Sequence, residues 1–154
     1  MDFPGCTIRP MQISDIPATM EMRGQTRENA VTREEMARDY GITPEGGATD
    51  MEHGLFGWVV EDRGRIKGFA MGDARNGEVV VVALVPDCEG QGLGRALLTL
   101  VTGRLLASGH DRLWLNANPD PAVRASGFYH HLGWRPSGAW HGEDIVLEWS
   151  PGAV

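Results

Sequence analysis

An apolar run that is closely followed by three glycines restricts the possible folds of this chain more than any other segment does. Residues 78–85 read Glu-Val-Val-Val-Val-Ala-Leu-Val, and β-branched residues favour an extended strand. A strand with one solvated face would alternate apolar and polar residues, so this run predicts a central, covered strand. Gly90, Gly92 and Gly94 come next, and Leu93 to Ala107 has apolar residues at helical spacing. The segment therefore predicts a strand that turns through glycines directly into a helix.

Short strand and helix patterns make up the rest of the chain. Further strands are predicted at Cys6 to Pro10, Leu55 to Glu61, Arg65 to Met71, Arg112 to Ala117, around Trp134, and Asp144 to Trp149. Helices are predicted from about Ile16 to Arg27, from a capping box at Thr32 and Glu35, and from Asp120-Pro121 to Gly133, with a short helical turn at Thr43-Pro44. The order βααβββαβαββ predicts a mixed α/β (α+β) fold.

Size and charge restrict the classes of function. The 154 residues, 42% of them hydrophobic, support one core, so residues 1–154 are expected to form a single domain. The net charge of −7 and the lack of a basic cluster argue against nucleic acid and weakly favour cationic substrates. Neither an apolar run of roughly 20 residues nor a signal-like N-terminus is present, which predicts a cytoplasmic protein without a membrane partner. Two cysteines without metal-ligand spacing predict free thiols and no metal site.

The glycine loop has the composition of an anion site. Without side chains in the way, successive N–H groups and the positive end of the following helix dipole can point at one phosphate group. A sharp turn that binds nothing is the alternative. A Walker loop is excluded because no Gly-Lys-Ser/Thr follows, and a dinucleotide-binding fingerprint is excluded because Arg95 or Leu97 stands where its third glycine belongs.

Two segments resemble motifs of the GNAT superfamily of N-acetyltransferases. The acetyl-CoA loop of that family is similar to Leu84-x-Pro86-x-x-x-Gly90-x-Gly92-Leu93-Gly94, and its second core motif is similar to Arg124-Ala125-x-x-Phe128-Tyr129-x-x-x-Gly133-Trp134-Arg135. The resemblance covers almost the whole chain. It implies a mostly antiparallel central sheet of about seven strands flanked by about four helices.

The resemblance also implies acetyl-CoA (coenzyme A) as the cofactor and assigns residues to it. The pyrophosphate would be held by the loop amides of Gly90, Gln91, Gly92, Leu93 and Gly94. Backbone groups near Leu84 and Val85, where the central strand splays from its neighbour, would bind the pantetheine arm and polarise the thioester carbonyl. Arg95 could offset nearby negative charge, and Arg124 could reach a phosphate or form a surface ion pair.

Tyr129 matches the family tyrosine that protonates the departing thiolate. A phenol with a pKa of about 10 remains protonated at neutral pH, which suits this role. Without the family context, Tyr129 is more typical of a core aromatic on an amphipathic helix than of a proton donor. Two positions depart from the family: Glu89 replaces the usual Arg or Gln at the start of the loop, and Ala122 replaces a common Asn.

The attacking amine needs a base, and Glu78 is the candidate. It stands sixteen residues before Gly94, the spacing of the catalytic glutamate in the histone-acetylating branch of the family. On a regular strand, residues 78, 80, 82 and 84 would share one side. A solvated carboxylate at the start of the strand is the alternative.

Acceptor-binding residues are expected in two segments. The family implies one between the first two helices, here Glu28 and Asn29, and one in the loop between the last two strands, here Trp140 and His141. These features predict direct transfer of an acetyl group to a primary amine, most simply of a small molecule. The alternatives are a protein N-terminus or lysine as acceptor, and a non-catalytic acyl-CoA-binding module; a homodimer stays open.

Overall fold

The computed structural model describes residues 5–26, 32–120 and 124–151, with side chains described from residue 127 in the last segment. The strands are β1 (Thr7–Pro10), β2 (Leu55–Asp62), β3 (Arg65–Asp73), β4 (Glu78–Leu84), β5 (Leu113–Ala117), β6 (Arg135–His141) and β7 (Asp144–Trp149). The α-helices are α1 (Ile16–Met22), α2 (Arg33–Tyr40), α3 (Pro44–Glu52), α4 (Leu93–Ala107) and α5 (Arg124–His131).

The seven strands form one mixed sheet in the order β1-β2-β3-β4-β5-β7-β6. Neighbouring strands are antiparallel except for β4 and β5, which are parallel. The run at residues 78–84 thus occupies the middle of the sheet. The predicted fold class is confirmed.

The parallel pair is held together only at its start. Within the described residues, the register between β4 and β5 contains a single pair, Glu78 with Trp114. The Trp114 N–H donates to the Gly77 carbonyl at 3.2 Å. Beyond this point the edges of the two strands are free to face a ligand.

A bulge in β4 changes which side chains share a face. Met71 of β3 lies opposite Val81, whereas Gly72 lies opposite Val79, so Val80 is the extra residue. Glu78 therefore shares its face with Val81, and the grouping of residues 78, 80, 82 and 84 that a regular strand would give is not formed. Val80 is 44% exposed, so the expectation of a fully covered strand also fails at this position.

Helix termini follow local signals closely. Thr32 accepts a hydrogen bond from the Glu35 N–H, which confirms the predicted capping box. Thr43 caps α3 in the same way through the Gly46 N–H, and the helix runs to Glu52. The described residues therefore contain five α-helices, because the predicted single turn at Thr43-Pro44 is a full helix.

Two further boundaries differ from the prediction. The first helix ends at Met22 and continues as a 3-10 turn, Arg23–Gln25, because Gly24 disfavours further α-helix. The predicted start of the helix after β5 falls partly on residues 121–123, outside the described residues.

Helix α4 packs on the sheet face that contains Gly72. Its buried side chains include Leu93, Leu97, Val101 and Leu105, each with no exposed area. A Cβ atom at Gly72 would lie 2.7 Å from Val101 Cγ1, so glycine is needed for this close approach. None of the helices in the described segments has the length and apolarity that crossing a bilayer requires.

The last hairpin corrects one expectation. Trp140 and His141 are the final residues of β6 and pair with Ile145 and Asp144, so they do not lie in a loop. The connection is only Gly142-Glu143, and Gly142 has the positive φ of 60° that such a tight turn needs.

Candidate active site

A first cleft of about 550 Å³ opens where β4 and β5 separate. Its walls are residues 79–84 of β4, residues 115–117 of β5 and the following Asn118, and residues of α5 also line it. The glycine loop contributes Gly90, Gly92 and Gly94 to the cleft. The glycine loop and the α5 tyrosine, which the sequence placed in separate motifs, thus line one cavity.

The loop presents free backbone donors at the start of α4. Gly90 and Gly92 have φ values of 77° and 83°, in the left-handed region that favours glycine. The first intrahelical bond of α4 joins the Ala96 N–H to the Gly92 carbonyl at 3.0 Å, so the preceding N–H groups have no partner in the helical ladder. A cradle of amides at a helix N-terminus fits a pyrophosphate.

Side chains around the loop divide into two groups. Arg95 is exposed and lines the first cleft, and Glu89 is partly buried and also lines it. Leu93 is fully buried, so it can offer a ligand only its backbone. The Gln91 side chain donates to the Asp87 carbonyl at 3.1 Å and does not line the cleft.

The backbone N–H groups of Leu84 and Val85, at the end of β4, point in different directions. The Val85 N–H donates to the Lys67 carbonyl at 2.9 Å, and the Val85 carbonyl accepts from the Cys88 N–H at 3.0 Å. Because successive backbone groups of a strand point to opposite edges, the Leu84 N–H points away from β3 toward the cleft. Leu84 fits the expected role, whereas the Val85 N–H is already used within the sheet.

Tyr129 forms part of the inner wall of the first cleft. Its side chain is 9% exposed, and its ring packs edge-on against Phe128 and Trp134 at centroid distances of 5.2 and 6.1 Å. Burial raises the pKa of Tyr129 to about 12, although the nearby positive charge of Arg23 opposes this shift. The phenol is therefore a protonated donor at neutral pH.

A second cleft of about 970 Å³ lies on the sheet face opposite α4. Helices α1, α2 and α3 and the sheet residues Phe69, Met71, Asp73 and Glu78 line it. Five residues line both cavities: Arg23, Val80, Val81, Asn116 and Asn118. The bulge at Val80 and the open edge of β5 therefore form the junction through which the two clefts meet.

Glu78 lines the second cleft near this junction. Partial burial raises its pKa, the Asp73 carboxylate adds to the shift, and His141 opposes it. Asp73 is fixed by Arg75, whose Nη2 lies 2.8 Å from Asp73 Oδ2. A partly buried carboxylate with a raised pKa suits proton uptake near neutral pH.

The remaining residues predicted for the site differ in how close they lie to the two clefts. Trp140 is 61% exposed and lines neither cleft, while His141 is close enough to Glu78 to influence its charge. Arg124 begins α5, but its side chain is outside the described atoms. Glu28 and Asn29 lie outside the described residues.

Sequence reasoning missed the residues at the junction. Arg23 stands at the end of a helix pattern, where an arginine gives no signal of function. Its position near Tyr129 depends on how α1 packs on the sheet. Asn116 interrupts the apolar pattern of β5, and this polar residue in a short buried strand was the available signal.

The family of this domain follows from comparison with known proteins. The model of the acetyltransferase (GNAT) family matches residues 16–134. The chain therefore belongs to the GNAT acetyltransferase family, as the two sequence motifs predicted.

Individual relatives agree with this assignment. A mycothiol acetyltransferase of Beutenbergia cavernae is 37% identical over 84 residues, which are 51% of this chain and 28% of that protein, so the chain spans under a third of that relative. The PaiA N-acetyltransferase of Thermoplasma acidophilum, solved with coenzyme A, is 18% identical with a TM-score of 0.76 over 94% of this chain and 98% of that one. The ribosomal-protein-S18-alanine N-acetyltransferase of Escherichia coli is 22% identical with a TM-score of 0.69, over 94% and 93%.

Proposed function

We propose that this chain is an acetyl-CoA-dependent N-acetyltransferase that acetylates a primary amine of a small molecule. One observation carries the proposal: the first cleft, with its amide cradle and Tyr129, joins the second cleft beside Glu78. A donor in one cavity and an acceptor in the other would meet at the junction.

The residues of the first cleft fit acetyl-CoA. The N–H groups from Gly90 to Arg95 would hold the pyrophosphate, and the Arg95 guanidinium is positioned to add positive charge beside Glu89. The N–H of Leu84 would bind the pantetheine arm or the carbonyl oxygen. When bound, acetyl-CoA supplies an acetyl carbon activated as a thioester.

Proton transfers would be divided between two residues. Glu78, with its raised pKa, would remove a proton from the acceptor ammonium, directly or through water. The neutral nitrogen then forms a bond to the acetyl carbon as the carbon–sulfur bond breaks. Tyr129 would give its phenolic proton to the leaving sulfur, which is possible because burial keeps that proton in place. The acylated nitrogen would lose its second proton to solvent as it becomes an amide, and the tyrosinate would regain a proton from solvent.

The second cleft supports a cationic acceptor. Its lining carries two arginines, Arg23 and Arg75, against more carboxylates, those of Glu35, Asp50, Asp73, Glu78 and Asp144. Arg75 is already paired with Asp73 and Asp50, so negative charge is in excess. A small-molecule acceptor agrees with the similarity to mycothiol acetyltransferase. A peptide N-terminus is the second candidate, since the open cleft of about 970 Å³ could admit the end of a chain.

A thiol-release assay tests the proposal. The protein, acetyl-CoA and a panel of small amines, amino sugars and short peptides are mixed, and free coenzyme A is measured with a thiol reagent. Amine-dependent release that mass spectrometry matches to an N-acetylated product supports the proposal. Faster turnover of peptides would select the protein acceptor. Acetyl-CoA binding without turnover of any amine would favour the non-catalytic module.

A further inference from the structure

Asn116 contains a buried polar atom that the fold does not satisfy. Its side-chain oxygen Oδ1 is shielded from solvent and has no hydrogen-bond partner in the described part of the chain. Within that part, it is the sole buried side-chain nitrogen or oxygen in this condition. Folded proteins pair nearly all such groups, because an unpaired buried acceptor is costly, so the exceptions point to a partner that arrives from outside.

The position of Asn116 identifies where that partner comes from. Asn116 lies on β5 and lines both clefts. It stands two residues after Trp114, the parallel register partner of Glu78, so its side chain lies on the same sheet face as the Glu78 carboxylate. Asn118, the next residue on that face, already uses its Oδ1 to accept the Asp120 N–H at 2.9 Å. Asn116 is thus an unused acceptor at the junction.

We propose that Asn116 positions the attacking amine by accepting one of its N–H groups on Oδ1. This inference rests on the proposed acetyl transfer. An amine offers N–H donors that can contact Asn116 and Glu78 together. An amide oxygen is too weak a base to remove the proton, so Asn116 holds the nitrogen while Glu78 takes the proton. The hydrogen bond directs the lone pair of the nitrogen toward the first cleft.

Two substitutions at the same position test this role. Asn116→Leu has similar size and no acceptor, whereas Asn116→Asp keeps the acceptor oxygen and loses the NH₂ group. With the best amine from the panel, we expect Asn116→Leu to lower kcat/KM for the amine roughly 10- to 100-fold. Calorimetry should find its acetyl-CoA Kd within about twofold of wild type, since the amine rather than the donor is affected.

The rate of Asn116→Asp and its pH dependence separate a role in positioning the amine from a purely structural role. Asn116→Asp should recover most of the lost rate. In this variant kcat/KM should start to fall at a higher pH than in the wild type as the solution is made more acidic. The reason is that a second carboxylate on the same face raises the pKa of Glu78. Thermal melting of both variants checks that they are folded.

Each alternative outcome is distinct. Asn116→Leu with wild-type kcat/KM, or a folded Asn116→Asp as inactive as the leucine variant, overturns the inference while leaving the proposed function intact. If the acetyl-CoA affinity of Asn116→Leu falls as much as its kcat/KM, Asn116 contacts acetyl-CoA rather than the amine, and the inference is overturned. A wild-type protein that turns over no amine overturns the proposed function, and the inference with it.

Discussion

Two titratable residues, Tyr129 and Glu78, lie on either side of the junction and have pKa values raised by their surroundings. Tyr129 is buried among aromatic rings and keeps its proton, with a pKa of about 12. Glu78 is partly buried, and this burial, together with the nearby Asp73 carboxylate, raises its pKa. The proposed acetylation of an amine needs an acid and a base, and Tyr129 and Glu78 are our candidates for these roles.

Replacing Tyr129 by Phe removes the proton donor and keeps the ring. We expect kcat to fall about 100-fold, the lower end of general acid contributions, while the acetyl-CoA Kd stays within about twofold. Steady-state kinetics and calorimetry measure the two quantities. Wild-type kcat in Tyr129→Phe would remove Tyr129 from the mechanism and leave it as a core aromatic.

The pH dependence of kcat/KM tests Glu78. A base must be deprotonated, so activity should fall as the pH drops through the pKa of Glu78, and this limb should lie above the usual range of glutamate. Glu78→Gln should lower kcat/KM about 100-fold and remove the limb.

Glu148→Gln is the matched control for Glu78→Gln. Glu148 lies on β7, pairs loosely with Arg112 at 4.0 Å and lines neither cleft, so its replacement should leave the profile unchanged. An acidic limb that persists in Glu78→Gln would assign the base to another group.

At the scale of elements, a partly buried ion pair holds the N-terminal strand to the first helix. Arg9 of β1 donates to Asp15 at the start of α1 with distances of 2.8 and 2.9 Å, and to Glu61 of β2 at 2.6 Å. The Asp15 carboxylate also accepts the Gln12 N–H at 2.8 Å. These contacts fix α1, and with it the Arg23 turn, against the sheet.

This network predicts a pH-dependent contribution to stability. The hydrogen bond from Arg9 lowers the pKa of Asp15, so its stabilisation is present above the unfolded-state pKa and is lost as the pH falls through the folded-state pKa. Asp15→Asn should lower the free energy of unfolding by about 2 kcal/mol at pH 7. The difference from wild type should shrink in acid.

Asp39→Asn provides the comparison for Asp15→Asn. Asp39 pairs with its exposed neighbour Arg38 at 2.9 Å, and pairs of this kind contribute about 0–1 kcal/mol. Urea denaturation at several pH values measures both variants. Equal losses from the two substitutions at pH 7 would contradict the role given to Asp15.

The elements that the sequence predicted best are those specified by local signals. Helix α4 follows from its apolar period, and the loop before it follows from glycines whose positive φ is a local requirement. The bulge at Val80 was not predictable, because it depends on the register with β3. The same holds for the boundary of β6, where the pairing of Trp140 with β7 overrides a sequence that looks like a loop.

At the scale of the whole molecule, the site is assembled from distant segments. The first cleft joins two motifs that the sequence displayed, so its outline was predictable. The junction joins Arg23, Val80 and Asn116, which are far apart in sequence, so no local pattern shows that they meet. Their convergence follows from the sheet order, in which β5 lies beside β4 and α1 covers the opposite face.

If the amides of the glycine loop bind acetyl-CoA, calorimetric titration should separate the wild-type protein from Gly92→Val. Valine is strained at a φ of 83°, so the variant should lose the cradle. Gly103→Ala, in the exposed middle of α4 with open space around it, is the control and should bind normally while gaining about 0.5–1 kcal/mol of stability. We predict saturable binding to wild type and Gly103→Ala, none to a folded Gly92→Val, and a gain in unfolding free energy of about 2.7 kcal/mol at acetyl-CoA concentrations 100 times the Kd. Absence of binding to the wild type, or equal binding to Gly92→Val, would contradict the account.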